Sequence, residues 1–199
     1  MGGEPRGARF FRHRSDMELK TKRLILRPWR EADAERLYLL CRVPEIGAGA
    51  GFPPHESPEM SRAVIRDVLS QPETFAVVNR GSGEIIGSAG LILSLEGSDC
   101  KKPGDAEVGY WIGKDLWGWG FATEALLALI GRAEQLGLRG LYGVIFPTNG
   151  ASRRVLEKAG FTFHHRENTY AAQLGVVRET LYYYRALSPV GEEDIREGR

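Results

Sequence analysis

The chain has 199 residues, with 27 Lys and Arg against 26 Asp and Glu, for a net charge of +1. That length suits one domain with a full core, and the balanced charge gives no ground for bulk attraction to nucleic acid or to a membrane surface. The hydrophobic content of 42% is ordinary for a globular domain, and no apolar run approaches the roughly 20 residues of a membrane-spanning helix. Two cysteines, Cys41 and Cys100, make at most one pair and no disulfide framework. With no secretory leader, a cytoplasmic location is expected. The histidines show no metal-ligand spacing. His164 and His165 are adjacent in a strand and are expected to face opposite sides, so no metal site is expected.

In chain order, residues 1–16 are rich in Gly and Arg (Arg6, Arg9, Arg12, Arg14) and read as a weakly ordered basic arm, with Met17 an alternative start. Arg23 to Trp29 is the first strand. Asp33 is placed to cap a helix carrying Leu37, Leu40 and Cys41 on one face. Residues 43–57, with Pro44, Gly47, Gly49, Gly51, Pro53 and Pro54, read as a long irregular loop, either functional or a plain connector. Ser57-Pro58-Glu59 is a cap, a first-turn proline and a first-turn acid, opening a helix to about Leu69.

Thr74 to Asn79 and Glu84 to Leu95 form a hairpin around Arg80-Gly81-Ser82-Gly83. Residues 96–104 are a polar loop. The strand 105–112 leads into a glycine loop and a helix ending near Gly137. Leu141 to Phe146 is a strand, and Asn149 to Ala159 a short helix stopped by Gly160. Phe161 to Arg166 and Glu179 to Leu187 are the last strands, with a loop at 168–177 between them. The single domain is bounded at 17–190, and 191–199 is a charged tail. The order β-α-α-β-β-β-α-β-α-β-β describes an α+β fold, a mixed sheet with helices on its faces.

Two stretches carry chemistry. The first is Trp117-Gly118-Trp119-Gly120-Phe121-Ala122-Thr123-Glu124-Ala125. A strand precedes it, and Ala122, Ala125, Leu126, Leu129, Ile130 and Ala133 follow at helical spacing. Its glycines let a ligand approach the main chain, and the free N–H groups of a starting helix favour phosphate. A Walker loop is excluded, because Gly113-Lys114 is followed by Asp115 and position 108 is Val. A dinucleotide fingerprint is weak, because position 123 is Thr and Gly140 stands near the expected acid. An acyl-CoA loop and an ordinary strand-to-helix turn remain. The second stretch is Asn149-Gly-Ala-Ser152-Arg-Arg-Val-Leu156-Glu-Lys-Ala-Gly160-Phe161. Asn149 and Ser152 stand at i and i+3 on one side of a helix start, where Asn149 reads either as a ligand contact or as a plain cap.

The first stretch resembles the Gln/Arg-x-x-Gly-x-Gly/Ala loop of the GNAT superfamily, with Trp117, Gly120 and Ala122 at its first, fourth and sixth positions. The run Trp-Gly-x-Gly-x-Ala-Thr-Glu-Ala is similar to the Rim-type branch, the ribosomal-protein-alanine N-acetyltransferases and their relatives. The second stretch resembles the superfamily segment Asn-x-x-Ala/Ser-x-x-x-Tyr-x-x-x-Gly-Phe. The resemblance covers about 23–187. It implies a mostly antiparallel sheet with splayed middle strands, and acetyl-CoA as cosubstrate without a metal.

By the same resemblance, Trp117, Gly118, Trp119, Gly120, Phe121 and Ala122 form the cofactor loop, the amides from Gly118 to Ala122 hold the diphosphate, and Thr123 adds a hydroxyl. The pantetheine arm pairs with the main chain near Ile112, and Asn149 fixes it. Many relatives carry at the position of Leu156 a Tyr that protonates the leaving thiolate. Here Ser152 is its substitute. Glu107 stands where Rim-type relatives often show a Glu proposed as base, and alternation puts Glu107, Gly109 and Trp111 on one face of the strand. The bland reading of Glu107 is an edge salt bridge. Arg153 and Arg154 read as phosphate contacts or solvated surface, and Tyr182, Tyr183 and Tyr184 as alternating packing residues. Trp29 either lines the acceptor pocket or anchors the first strand.

The expected activity is direct acetyl transfer to a primary amine, with no covalent enzyme intermediate, since neither Cys stands in a nucleophile motif. An α-amine, with a pKa of about 7.7–8.0, is far easier to neutralise than a lysine near 10.4. With one candidate carboxylate, that favours a protein N-terminus or a small-molecule amine as acceptor. The rivals are a non-catalytic acyl-CoA sensor on the same fold, for which Glu107→Gln would change nothing, and an antibiotic or polyamine acetyltransferase. A monomer or homodimer with no nucleic-acid partner is expected.

Overall fold

The computed structural model describes residues 17–93, 103–171 and 173–188. The arm at 1–16, most of the polar loop at 96–104 with Cys100, and the tail at 191–199 lie outside the described residues. The strands are β1 (Leu19–Lys20), β2 (Leu24–Pro28), β3 (Thr74–Asn79), β4 (Ile85–Ile92), β5 (Asp105–Ile112), β6 (Gly140–Ile145), β7 (Thr162–Ala171) and β8 (Val176–Ala186). The helices are α1 (Ala34–Cys41), α2 (Pro44–Ala50), α3 (Pro58–Val64), α4 (Phe121–Gln135) and α5 (Gly150–Lys158). The strands form one sheet in the order β1-β2-β3-β4-β5-β6-β8-β7. Every neighbouring pair is antiparallel except β5 and β6, which run parallel.

Alternation sorts the side chains to the two faces. On one face, Leu24, Leu26, Val77, Leu91, Val108 and Leu141 join Leu126, Leu129 and Ile130 of α4 and Leu156 of α5 in the larger core. On the other, Trp29, Ala76, Val78 and Ile85 join Leu37 and Cys41 of α1 and Ile65 beyond α3. Trp29 anchors the sheet: it is buried, and its indole N–H donates to Ser88 Oγ at 3.3 Å. Tyr183 enters the larger core, while Tyr182 and Tyr184 take the opposite parity.

Several local expectations are corrected. Residues 43–57 are not a loop throughout, because α2 occupies Pro44–Ala50. Pro44 starts that helix and Gly51 ends it in the left-handed region at φ 85°. Its internal glycines answer to packing: a Cβ on Gly47 would lie 2.2 Å from the Phe52 carbonyl oxygen. Asp33 precedes α1, but its carboxylate turns back to the Arg27 guanidinium and the Arg30 amide, capping the 3-10 turn Glu31–Asp33 instead. The 168–177 segment is strand at both ends, since β7 runs to Ala171 and β8 starts at Val176. A register shift between Phe163 and His165 breaks the alternation there. As a result the His164 and His165 rings meet, Nδ1 to Nδ1 at 2.7 Å, rather than facing apart.

Candidate active site

The sheet is split at its middle. β5 pairs with β6 only from Asp105 opposite Gly140 to Val108 opposite Gly143. Beyond that point β5 stays on β4 as far as Ile112 opposite Gly87, and β6 stays on β8. The Gly113 amide donates to the Ile86 carbonyl at 2.8 Å, which makes Ile112 and Gly87 a non-hydrogen-bonded pair. The main-chain groups of Ile112, and of Tyr110 two residues earlier, therefore point away from β4 into the split.

The glycine loop sits at the end of β5, after a 3-10 turn at Lys114–Leu116. Gly118 and Gly120 have φ of 83° and 80°, where a side chain would be strained. A Cβ on Gly118 would meet nothing within 4 Å, and one on Gly120 only the Arg23 guanidinium at 3.6 Å. Gly120 is the N-cap of α4, and no side chain caps this helix. Its first main-chain bond is Glu124 N–H to the Gly120 carbonyl, so the amides of Phe121, Ala122 and Thr123 have no intrahelical partner. The loop is thus a bare, positively polarised cradle, which fits a diphosphate. Trp119 is 67% exposed beside it.

Arg23 and Glu124 hold the cradle in shape. Glu124 accepts from Thr21 Oγ1, the Arg23 amide and Arg23 Nε at 2.6–2.8 Å. Arg23 also donates to the Trp119 carbonyl at 3.0 Å and lies over the Phe121 ring. Burial pushes the Glu124 carboxyl up, but these hydrogen bonds and the Arg23 charge outweigh it and hold it below its ordinary value. The indole N–H of Trp117 donates to the Ile112 carbonyl at 2.7 Å. The residue that departs from the superfamily loop pattern thus ties the loop to β5 and takes one acceptor facing the split.

The other side of the split is the start of α5. Asn149 caps it, accepting the Ser152 amide at 3.0 Å, and donates through Nδ2 to the Gly49 carbonyl of α2 at 3.0 Å. Both of its side-chain atoms therefore have protein partners. Leu156 is buried over Gly143, whose Cβ would fall 2.4 Å from it, so this position serves the core. Ser152 meets Tyr110 of β5: the phenol oxygen is 2.9 Å from Ser152 Oγ and 3.2 Å from its carbonyl. The reading of the sequence missed this tyrosine, because 42 positions separate the partners and no local pattern joins them. Burial pushes the Tyr110 phenol up to about 12, the bond to Ser152 opposing it.

Glu107 is half-buried on β5, opposite Tyr142 of β6. It shares strand parity with Gly109, where a Cβ would meet nothing within 4 Å, and with Trp111, which packs on the second core and lies edge-on to Phe52. Tyr110 packs against the larger core on the opposite face. The structure thus brings Ser152 and Asn149 together at one lip of the split and the glycine loop to the other. It puts Glu107 across the sheet from Ser152. Of the two arginines, Arg154 is exposed, and Arg153 has a buried Nε without a hydrogen-bond partner. Among the described residues, no group of three or more His, Cys, Asp or Glu is placed to hold a metal ion, and no helix is long and apolar enough to cross a membrane.

A parallel pair of middle strands parting beside an uncapped glycine turn is the frame of an acyl-CoA N-acyltransferase. Residues 23–162 match the model of the acetyltransferase (GNAT) domain, and the chain belongs to that family. It is 30% identical over 171 residues to the N-acetyltransferase YoaA of Bacillus subtilis, covering 83% of this chain and 94% of the relative. Among solved structures, the ribosomal-protein-S5-alanine acetyltransferase of Vibrio fischeri superposes with a TM-score of 0.66 at 18% identity, covering 86% of this chain and 97% of that one. RimL, a ribosomal L7/L12 alpha-N-protein acetyltransferase solved in complex with coenzyme A, gives a TM-score of 0.70 at 18% identity, covering 86% and 98%. The α+β fold with a splayed, mostly antiparallel sheet is the one expected. The protein is an N-acetyltransferase.

Proposed function

We propose that the protein transfers acetyl from acetyl-CoA directly to a primary amine, an α-amine of a protein or of a small molecule. The observation that carries this reading is the split after Val108 and Gly143 with the bare amides of 118–123 at its mouth. The resident neighbours fit the cosubstrate. The cradle suits the diphosphate, the Tyr110 main chain and the Ile112 amide, whose carbonyl Trp117 already occupies, suit the amides of the pantetheine arm, and an N–H of β5 would polarise the acetyl carbonyl. Asn149, bonded to α2 and to the Ser152 amide, shapes the lip and keeps a second Nδ2 hydrogen with which to fix the arm.

Glu107 is the proposed base. It approaches the split from the face opposite Ser152, so that amine and leaving sulfur are handled on different sides of β5. The notch over Gly109, between Glu107 and Trp111, is the proposed path for the amine. The superposition on RimL and on the Vibrio fischeri enzyme supports a peptide N-terminus as one candidate acceptor.

The test is a screen of N-terminal peptides, lysine side chains and small amines with acetyl-CoA, detecting free thiol. The expected result is faster transfer to α-amines after correction for pH. Comparable corrected rates on lysine side chains would contradict the α-amine assignment.

A further inference from the structure

We propose that Tyr110 is a positioning residue for the leaving sulfur: its phenol, reaching from β5, donates to Ser152 Oγ and turns the Ser152 O–H toward the thiol end of a bound acyl-CoA. This rests on the acetyl-CoA reading above. Ser152 is held from two further directions. Its amide is taken by Asn149 Oδ1, and Asn149 Nδ2 is fixed on the Gly49 carbonyl. Gly49, Asn149, Ser152 and Tyr110 thus form one chain of bonds joining α2, α5 and β5 across the lip of the split.

A serine hydroxyl has one hydrogen and rotates to suit its neighbours. The phenol's one hydrogen has two acceptors in reach, Ser152 Oγ at 2.9 Å and the Ser152 carbonyl at 3.2 Å; where it goes to the nearer Oγ, the serine hydrogen is free to point into the split. The phenol is suited to donating without ionising. Burial pushes it up to about 12, so it keeps its proton across the neutral range. When an amine nitrogen bonds the acetyl carbon and the C–S bond breaks, the electron pair stays on sulfur and the surplus proton leaves from the amine to Glu107, the proposed base. Ser152 therefore meets a thiolate, and its O–H supplies a charge-assisted hydrogen bond. No charge develops on Ser152 or Tyr110. With Leu156 committed to packing on Gly143, the phenol of β5 restores to this site a tyrosine that α5 lacks.

The experiment is calorimetric titration of the full chain with CoA and with desulfo-CoA between about pH 6 and 9, a range spanning an ordinary thiol near 8.5. The ionisable groups on the surrounding elements include Glu45 on α2, Arg153, Arg154, Glu157 and Lys158 on α5, Asp105 and Glu107 on β5, and Glu124 near the start of α4 with its partner Arg23. The ratio of the two affinities cancels their effects, since the ligands differ only at sulfur. In the wild type this ratio rises with pH by about tenfold, the size of one hydrogen bond to a charged group. In Tyr110→Phe and in Ser152→Ala the ratio is flat while desulfo-CoA affinity is unchanged, and the double variant is no flatter than either single one.

A wild-type slope retained in Tyr110→Phe overturns the proposal. So does a flat ratio in the wild type, or a loss of slope accompanied by loss of desulfo-CoA affinity, which would mark a merely structural tyrosine. If neither ligand binds the wild type, the acetyl-CoA reading itself falls and takes this proposal with it.

Discussion

Two carboxylate–guanidinium pairs sit at opposite ends of α4, and they differ in what they hold. Near its start, Glu124 binds Arg23, which in turn holds the Trp119 carbonyl of the glycine loop. Near its end, Arg132 binds Glu73 through two contacts of 2.9 Å. Glu73 is buried and sits in the left-handed region at φ 59°, unusual for a residue with a side chain. Its carbonyl accepts the Leu91 amide, so the pair locks the turn before β3 to β4 and α4. The same chemistry therefore serves the fold alone at one end and the shape of a ligand cradle at the other. A helix can be anchored by charge far from its site. Only the anchor that touches the loop is expected to couple stability to binding.

Breaking the distal pair has the largest expected cost to the fold. Arg132→Ala leaves a mostly buried carboxylate without its partner and should cost about 3 kcal/mol of stability in urea unfolding. CoA affinity should stay within about twofold of the wild type. Gly120→Val comes next. A β-branched residue at φ 80° should cost about 2 kcal/mol and also weaken CoA by at least about tenfold, because the cradle is distorted directly.

Glu124→Gln should cost about 1–2 kcal/mol, discounted because the Arg23 side chain is 40% exposed, and should weaken CoA several-fold. Its pH signature has a fixed sign. Glu124 is held below its ordinary value, so its contribution is complete above the unfolded-state pKa of about 4.3. That contribution disappears as pH falls through the lower folded value. Acid unfolding curves of Glu124→Gln should lack this component. At the small end, Glu45→Gln removes the exposed pair with Lys114 that links α2 to the turn before the loop. No measurable change in stability is expected, and any effect on CoA affinity should vanish in high salt.

Much of the frame was legible because its signals are periodic. The α4 residues Ala125, Leu126, Leu129, Ile130 and Ala133 recur at helical spacing and are all buried. The parity of Val108, Tyr110 and Ile112 against Glu107, Gly109 and Trp111 follows from the pleat alone, and the two cores divide along it. The features that escaped are set by tertiary contact. The glycines of α2 look like breakers until Phe52 and Asn149 are seen pressing on them. The bulge that brings His164 and His165 together depends on how β7 registers on β8. Arg23 with Glu124, and Tyr110 with Ser152, are partners across 101 and 42 positions. Their residue types gave no hint of each other, and only the parting of β5 from β6 brings the second pair face to face.

The central claim is that main-chain donors after Trp117, together with the edge of β5, receive coenzyme A. Backbone amide chemical shifts recorded with and without CoA test it most directly. The predicted result is that the largest changes fall on Gly118 to Thr123, Tyr110, Ile112 and Ser152, with the amides around Glu73 and Arg132 still. Changes absent from the glycine loop, or concentrated elsewhere on the sheet, would contradict it.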